Sequence, residues 1–109
     1  MVGDHMIEID FAQNGGSVDL ALGDSFQVCL RESPTTGYRW HIRSPESNIL
    51  VIESDTFDTS QPALGAGGVR RWQFRAVQAG LARLEIENRR SWGTNVAETF
   101  RINARVAER

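Results

Sequence analysis

The sequence predicts an all-β protein, a sandwich or barrel of about eight short strands. Three observations support this prediction. Apolar residues recur at every second position through most of the chain, and no window shows the repeat of an amphipathic helix. Turn signals rich in glycine, proline, asparagine and aspartate separate the alternating segments, as in sandwiches and barrels built from short antiparallel strands.

The eight predicted strands follow one another along the whole chain. Their apolar positions are, in order, Ile7, Ile9 and Phe11; Val18, Leu20 and Leu22; Phe26, Val28 and Leu30; Tyr38, Trp40 and Ile42; the apolar-rich segment 49–57; Trp72, Phe74 and Ala76; Leu84 and Ile86; and Val96, Phe100, Ile102, Ala104 and Val106. Trp40 and Trp72 fall on core-facing positions of this pattern, whereas Trp92 falls outside it.

Length and composition predict one ordinary globular domain over residues 1–109. The chain carries 12 basic and 14 acidic side chains, a net charge of −2, which argues against bulk attraction to nucleic acid or to an anionic membrane. Cys29 is the only cysteine, so no intrachain disulfide can form. The longest apolar runs fall far short of the ~20 residues that span a bilayer.

The segment Met1–Met6 has no apolar signal core. We therefore expect a cytoplasmic protein as the chain stands, or a periplasmic or secreted one if a leader has been removed. We also expect a monomer that needs no cofactor and no metal.

The connections between strands differ in character. Tight turns are predicted at Gly23-Asp24 and Ala79-Gly80, and a short loop opened by Pro45 is predicted at 45–48. The longer or chemically unusual connections are a first loop (33–37), a second loop (58–69) and a third loop (89–95). These follow the third, fifth and seventh strands. If successive strands cross the protein in opposite directions, all three emerge at the same end of the scaffold.

The first loop is Ser33-Pro34-Thr35-Thr36-Gly37. Proline fixes φ, β-branched threonines have restricted side chains, and glycine permits a conformation closed to other residues. Such a loop is stiff, so binding a partner costs it little entropy. The same residues also fit a plain turn that closes a hairpin.

The second loop contains Pro62-Ala63-Leu64-Gly65-Ala66-Gly67-Gly68. Its glycines would let another backbone come close. A phosphate-binding loop would need a helix after it, and often a lysine. Here a predicted strand, Arg70-Arg71-Trp72-Gln73-Phe74, follows, and the sequence has no lysine, so we reject nucleotide binding. A flexible surface loop remains the alternative.

The third loop is Arg89-Arg90-Ser91-Trp92-Gly93-Thr94-Asn95. An exposed tryptophan next to arginine is typical of binding hot spots. The alternative is a tryptophan that folds back to cap the end of the sandwich.

Together and in this order, the three loops resemble the chagasin family of cysteine-protease inhibitors. Its members carry Asn-Pro-Thr-Thr-Gly-aromatic, Gly-x-Gly-Gly and Arg-Pro-Trp segments, which match Ser33-Pro34-Thr35-Thr36-Gly37-Tyr38, Gly65-Ala66-Gly67-Gly68 and Arg90-Ser91-Trp92. The resemblance covers nearly the whole chain. Ser33 stands where the family has Asn, and Ser91 stands where it has Pro; the second change is expected to loosen the third loop.

The resemblance implies an immunoglobulin-like β-sandwich that plugs the cleft of a papain-like cysteine protease reversibly. Pro34, Thr35, Thr36 and Gly37 would enter the centre of the cleft, with the threonines near the catalytic cysteine and histidine. Gly65, Ala66, Gly67 and Gly68 would lie along the non-primed side and pair as a substrate strand would. Trp92, with Arg90 and Ser91, would contact the primed side.

The sequence favours four other interpretations less. Catalysis would need the Cys29 thiol activated by His41, on the next predicted strand, but both lie mid-strand rather than in a cleft. The cysteine and two histidines lack the spacing of a zinc site. A carbohydrate-binding or adhesion module is the main alternative, although only Trp92 is predicted to be exposed. The pairs Arg70-Arg71 and Arg89-Arg90 form no basic stripe for nucleic acid.

Overall fold

The computed structural model describes residues 6–33, 36–44, 48–59 and 67–108. It is all-β apart from one short 3-10 helix at Phe11–Gln13. The strands are β1 (Ile7–Ile9), β2 (Ser17–Ala21), β3 (Ser25–Glu32), β4 (Tyr38–Ser44), β5 (Leu50–Asp58), β6 (Gly68–Ala76), β7 (Gly80–Arg90) and β8 (Val96–Ala107). Within the described residues, no helix is long and apolar enough to cross a bilayer.

The strands form two four-stranded sheets. Sheet A has the order β1-β3-β6-β5 and sheet B the order β2-β8-β7-β4. The pairs β1–β3 and β2–β8 are parallel, and the other four pairs are antiparallel. The eight predicted strands and the all-β class are therefore confirmed, and the architecture is a sandwich rather than a barrel.

The core lies between the inner faces of the two sheets. The predicted alternation is realised most clearly in β3, where Phe26, Val28 and Leu30 are buried and the residues between them are not. Trp40 is 3% exposed and Trp72 is 1% exposed, as the alternation predicted. Each large apolar side chain buried in this way contributes about 1.5–3 kcal/mol to stability.

Two elements differ from the sequence prediction. Phe11 was assigned to the first strand, but that strand ends at Ile9 and Phe11 begins the 3-10 helix. A capping box explains the change, because Asp10 accepts from Ala12 N at 2.9 Å and Gln13 Oε1 accepts from Asp10 N at 2.8 Å. The segment 49–57 does form a strand, β5, but as the edge of sheet A with most residues exposed.

The predicted tight turns separate β2 from β3 and β6 from β7. Gly23 lies in the first with φ of +94°, and Gly80 begins β7 with φ of +138°. The predicted loop at 45–48 falls mostly outside the described residues.

Candidate functional site

Strand register brings the first and second loops together at one end of sheet A. Glu32, the last residue of β3, pairs with Gly68, the first residue of β6. Asp58, the last residue of β5, pairs with Val69 of the same strand. The start of the first loop therefore lies beside both ends of the second loop, at one end of sheet A.

The third loop lies at the corresponding end of sheet B. Tyr38, where β4 leaves the first loop, pairs with Arg90, where β7 enters the third loop. Val96, where β8 leaves that loop, pairs with Arg89. The first and third loops are thus neighbours across sheet B.

Two hydrogen bonds tie the sheets together at this end. The backbone N–H of Trp40 donates to Glu32 Oε2 at 2.8 Å, and the indole Nε1 of Trp40 donates to the carbonyl oxygen of Arg31 at 2.7 Å. Both join β4 of sheet B to β3 of sheet A. The described parts of all three loops consequently share one end of the sandwich.

The first loop is braced by its own second threonine. Thr36 donates to the carbonyl oxygen of Ser33 from its backbone N–H at 3.1 Å and from its hydroxyl at 2.8 Å. The same hydroxyl accepts from Tyr38 N at 3.2 Å. Pro34 and Thr35, the predicted tip, lie outside the described residues. Sequence reasoning did not anticipate that the Thr36 hydroxyl stiffens the loop from within.

The second loop is described only at its margin. Gly65 and Ala66 lie outside the described residues, while Gly67 and Gly68 are described. A Cβ on Gly67 would lie 3.0 Å from the hydroxyl of Ser33, and a Cβ on Gly68 would overlap the carbonyl oxygen of Asp58. The space beside these two glycines is filled by the protein's own first loop and by its own β5.

The third loop presents an exposed indole. Trp92 is 75% exposed, so the alternative in which it folds back to cap the sandwich is wrong. One edge of its ring rests on the first loop, since a Cβ on Gly37 would lie 2.8 Å from the ring atom Cη2. Gly37 has a φ of +84°, a backbone conformation that residues other than glycine rarely adopt.

Arg90 lies over the rings of Tyr38 and Trp92. The carbon of its guanidinium lies 4.5 Å from the ring centre of Tyr38 and 5.9 Å from that of Trp92. Such cation–π contacts contribute about 0.5–1 kcal/mol each at exposed sites. Ser91 is exposed, and Gly93 N donates to Arg90 O at 3.3 Å, which closes the turn. The structure thus brings Gly37, Arg90 and Trp92 into one cluster.

An ion-pair network lies beneath the loops. The Glu32 carboxylate forms ion pairs with Arg39 Nη2 at 3.1 Å and with Arg70 Nη1 at 2.9 Å. Arg70 also donates to both carboxylate oxygens of Asp55, at 2.6 and 2.9 Å. Those hydrogen bonds hold the pKa of Asp55 below its usual range and raise the pKa of Arg70. Sequence reasoning missed this network, although Glu32 follows Phe26, Val28 and Leu30 in the same inward-facing alternation.

The structure removes the basis for a Cys29–His41 catalytic pair. Cys29 lies on β3 of sheet A and His41 on β4 of sheet B. Cys29 lies between the buried Val28 and Leu30, and His41 lies between the buried Trp40 and the partly buried Ile42, which packs against the core. The two side chains therefore project from opposite outer faces of the sandwich. Burial raises the pKa of the Cys29 thiol, which opposes nucleophilic activation. The described part of the chain contains no cluster of His, Cys, Asp and Glu that could hold a metal.

The arrangement defines a class of protein: a β-sandwich in which the described parts of three loops share one end. The model of the chagasin family peptidase inhibitor I42 matches residues 19–104. The chain therefore belongs to the chagasin family, whose members are peptidase inhibitors rather than enzymes. This confirms the resemblance stated from the three motifs.

Individual relatives agree with this assignment. Chagasin of Trypanosoma cruzi is 28% identical over an alignment of 86 residues, and the match covers 74% of this chain and 78% of the relative. The crystal structure of the cysteine protease inhibitor EhICP2 from Entamoeba histolytica has a TM-score of 0.81 at 20% identity and covers 96% of this chain and 100% of its own. PbICP-C, solved in complex with falcipain-2, has a TM-score of 0.59 at 12% identity over 100% of this chain and 95% of its own. These structures share the immunoglobulin-like β-sandwich.

Proposed function

We propose that this protein inhibits papain-like cysteine proteases by covering the active-site cleft with its three loops. The observation that carries the proposal is the convergence of the described loop segments at one end of the sandwich. A single cleft can receive them only in that arrangement. The solved complex of PbICP-C with falcipain-2 supports it, because that protein has the same fold.

In the proposed complex, Pro34, Thr35, Thr36 and Gly37 enter the centre of the cleft. The segment Gly65–Gly68 follows one side of the cleft as an added strand, and Trp92 with Arg90 and Ser91 covers the other. A standard inhibitor interface buries about 800 Å² on each partner, an area that three loops can supply. The internal bonds of Thr36 keep the first loop stiff, which lowers the entropy cost of binding.

Inhibition in this scheme is reversible occlusion, and no bond of the inhibitor is cut. The single domain acts as a monomer and forms a one-to-one complex. A carbohydrate-binding function is less favoured, because only one of the three tryptophans, Trp92, is exposed. One aromatic ring makes a poor platform for a sugar.

The test is a titration of papain with the protein, followed with a fluorogenic peptide substrate. We expect stoichiometric inhibition at nanomolar concentrations, recovery of activity after dilution, and an intact inhibitor by mass spectrometry. Papain whose catalytic cysteine carries a small blocking group should still co-elute with the inhibitor in size-exclusion chromatography. Full papain activity at micromolar inhibitor, with binding to a glycan array instead, would overturn the proposal.

A further inference from the structure

Glu32 is buried in an unusual way for a charged residue. Its side chain is 0% exposed, and among the described residues it is the only polar or charged one in the buried class. Moving a carboxylate out of water is energetically costly unless partners compensate for the lost hydration. Its retention at the end of β3, one residue before the first loop, therefore requires a structural reason.

The partners of Glu32 supply that reason. Oε1 accepts a hydrogen bond from the Arg39 guanidinium, and Oε2 accepts hydrogen bonds from the backbone N–H of Trp40 and from the Arg70 guanidinium. Arg70 in turn donates hydrogen bonds to both carboxylate oxygens of Asp55. One carboxylate is thus bonded to β4 and β6 and, through Arg70, to β5.

These four strands are the ones that flank the first and second loops. The first loop leaves β3 at Glu32 and enters β4 two residues before Trp40. The second loop leaves β5 three residues after Asp55 and enters β6 two residues before Arg70. The network therefore fixes the points at which the chain enters and leaves both loops.

We infer that Glu32 is a positioning residue that sets the relative placement of the first and second loops and thereby the affinity for the protease. This rests on the proposed function. Glu32 acts through its neighbours, since a fully buried side chain contacts no protease. Hydrogen bonds to a charged group are short and directional, so this carboxylate fixes orientation as well as filling space.

The variant Glu32→Gln tests the inference because it keeps the shape and one acceptor oxygen. That oxygen can still accept from the backbone N–H of Trp40. The amide NH₂ group that replaces the other oxygen faces the Arg39 guanidinium, so two hydrogen-bond donors oppose each other. We expect Glu32→Gln to remain folded and to inhibit papain about tenfold more weakly, chiefly through faster dissociation. A merely stabilising residue would lower the melting temperature and leave Ki unchanged.

The matched control is Leu20→Val, a buried change at the other end of the sandwich. Leu20 pairs with Val106, which lies ten residues along β8 from Val96, or about 33 Å from the third loop in an extended strand. It should lower stability and leave Ki unchanged. Hydrogen exchange of the Thr36 and Tyr38 amides should be faster in Glu32→Gln than in Leu20→Val.

The outcomes separate the inference from the proposed function. A folded Glu32→Gln protein with wild-type Ki and wild-type exchange at Thr36 and Tyr38 overturns the inference while inhibition stands. A wild-type protein that does not inhibit papain refutes the proposed function. In that case exchange at the two amides decides the inference: faster exchange supports the positioning of the first loop by Glu32, and equal exchange overturns it.

Discussion

Replacing Trp92 by alanine should weaken inhibition and leave the fold intact. The indole is 75% exposed in the free protein. A tryptophan side chain can bury up to ~250 Å², so about 190 Å² remains available to a partner. At ~25 cal/mol per Å², complete coverage would contribute up to about 4.7 kcal/mol. Incomplete coverage and the ordering of the partner reduce this to about 2–3 kcal/mol, or roughly 30- to 150-fold in Ki.

The assay is a papain titration of Trp92→Ala beside Leu81→Ala. Leu81 is 73% exposed and lies near the start of β7, whereas the third loop follows its end, so it matches Trp92 in exposure but not in place. Both variants should unfold at nearly the wild-type temperature. The reasoning is refuted if Trp92→Ala keeps wild-type Ki, or if Leu81→Ala loses as much affinity.

Three further predictions concern the support of the loops and the one thiol. Gly37→Ala should lose about 1–2 kcal/mol of stability because φ is positive, and weaken inhibition because the added methyl displaces the Trp92 ring; denaturation and papain titration measure both. The low pKa of Asp55, caused by Arg70, adds stability that is fully present above the unfolded value of ~3.9 and is lost as the pH falls through the lower folded value. Since this side chain is 43% exposed, the effect should be at most about 1 kcal/mol, measured by urea unfolding between pH 2 and 6 and reduced in Asp55→Asn. Cys29 should react more slowly with a disulfide reagent at pH 8 in the folded than in the unfolded protein, because burial raises its pKa.

Each of these predictions has a contrary result. Gly93→Ala is the control for Gly37→Ala, because an added Cβ there meets no atom within 4 Å; equal effects of the two changes would contradict the role of the Gly37–Trp92 contact. Parallel pH profiles of wild type and Asp55→Asn would contradict the ion pair. Equal thiol reactivity in both states would contradict the burial of Cys29.

Much of the fold could be predicted from the sequence because period-two alternation directly reports which face of a strand is buried. It placed Phe26, Val28 and Leu30 in the core, as well as Trp40 and Trp72. It failed at Phe11, where the alternation continues by coincidence into a 3-10 helix. The capping pair Asp10 and Gln13 was the local signal for that change.

The contacts between loops could not be predicted, because they depend on distances between segments far apart in the chain. The support of the indole by Gly37 is one example. The network around Glu32 is another, since the alternation indicates an inward direction but not the arginines that meet the carboxylate. The parallel pairing of β1 with β3 also lies beyond a pattern that reports faces and not neighbours.

The contact between Gly37 and Trp92 has a consequence for variation in this protein. Ser91 stands where the family motif has proline, so the backbone of the third loop lacks the restraint that proline gives. The indole instead contacts the opposite loop at Gly37, and the Arg90 guanidinium lies over both its ring and the ring of Tyr38. The first and third loops therefore cannot vary independently, because a substitution in the first loop at Gly37 changes the surface on which the Trp92 ring of the third loop packs. Substitutions at 37, 90 and 92 should consequently combine in a non-additive way.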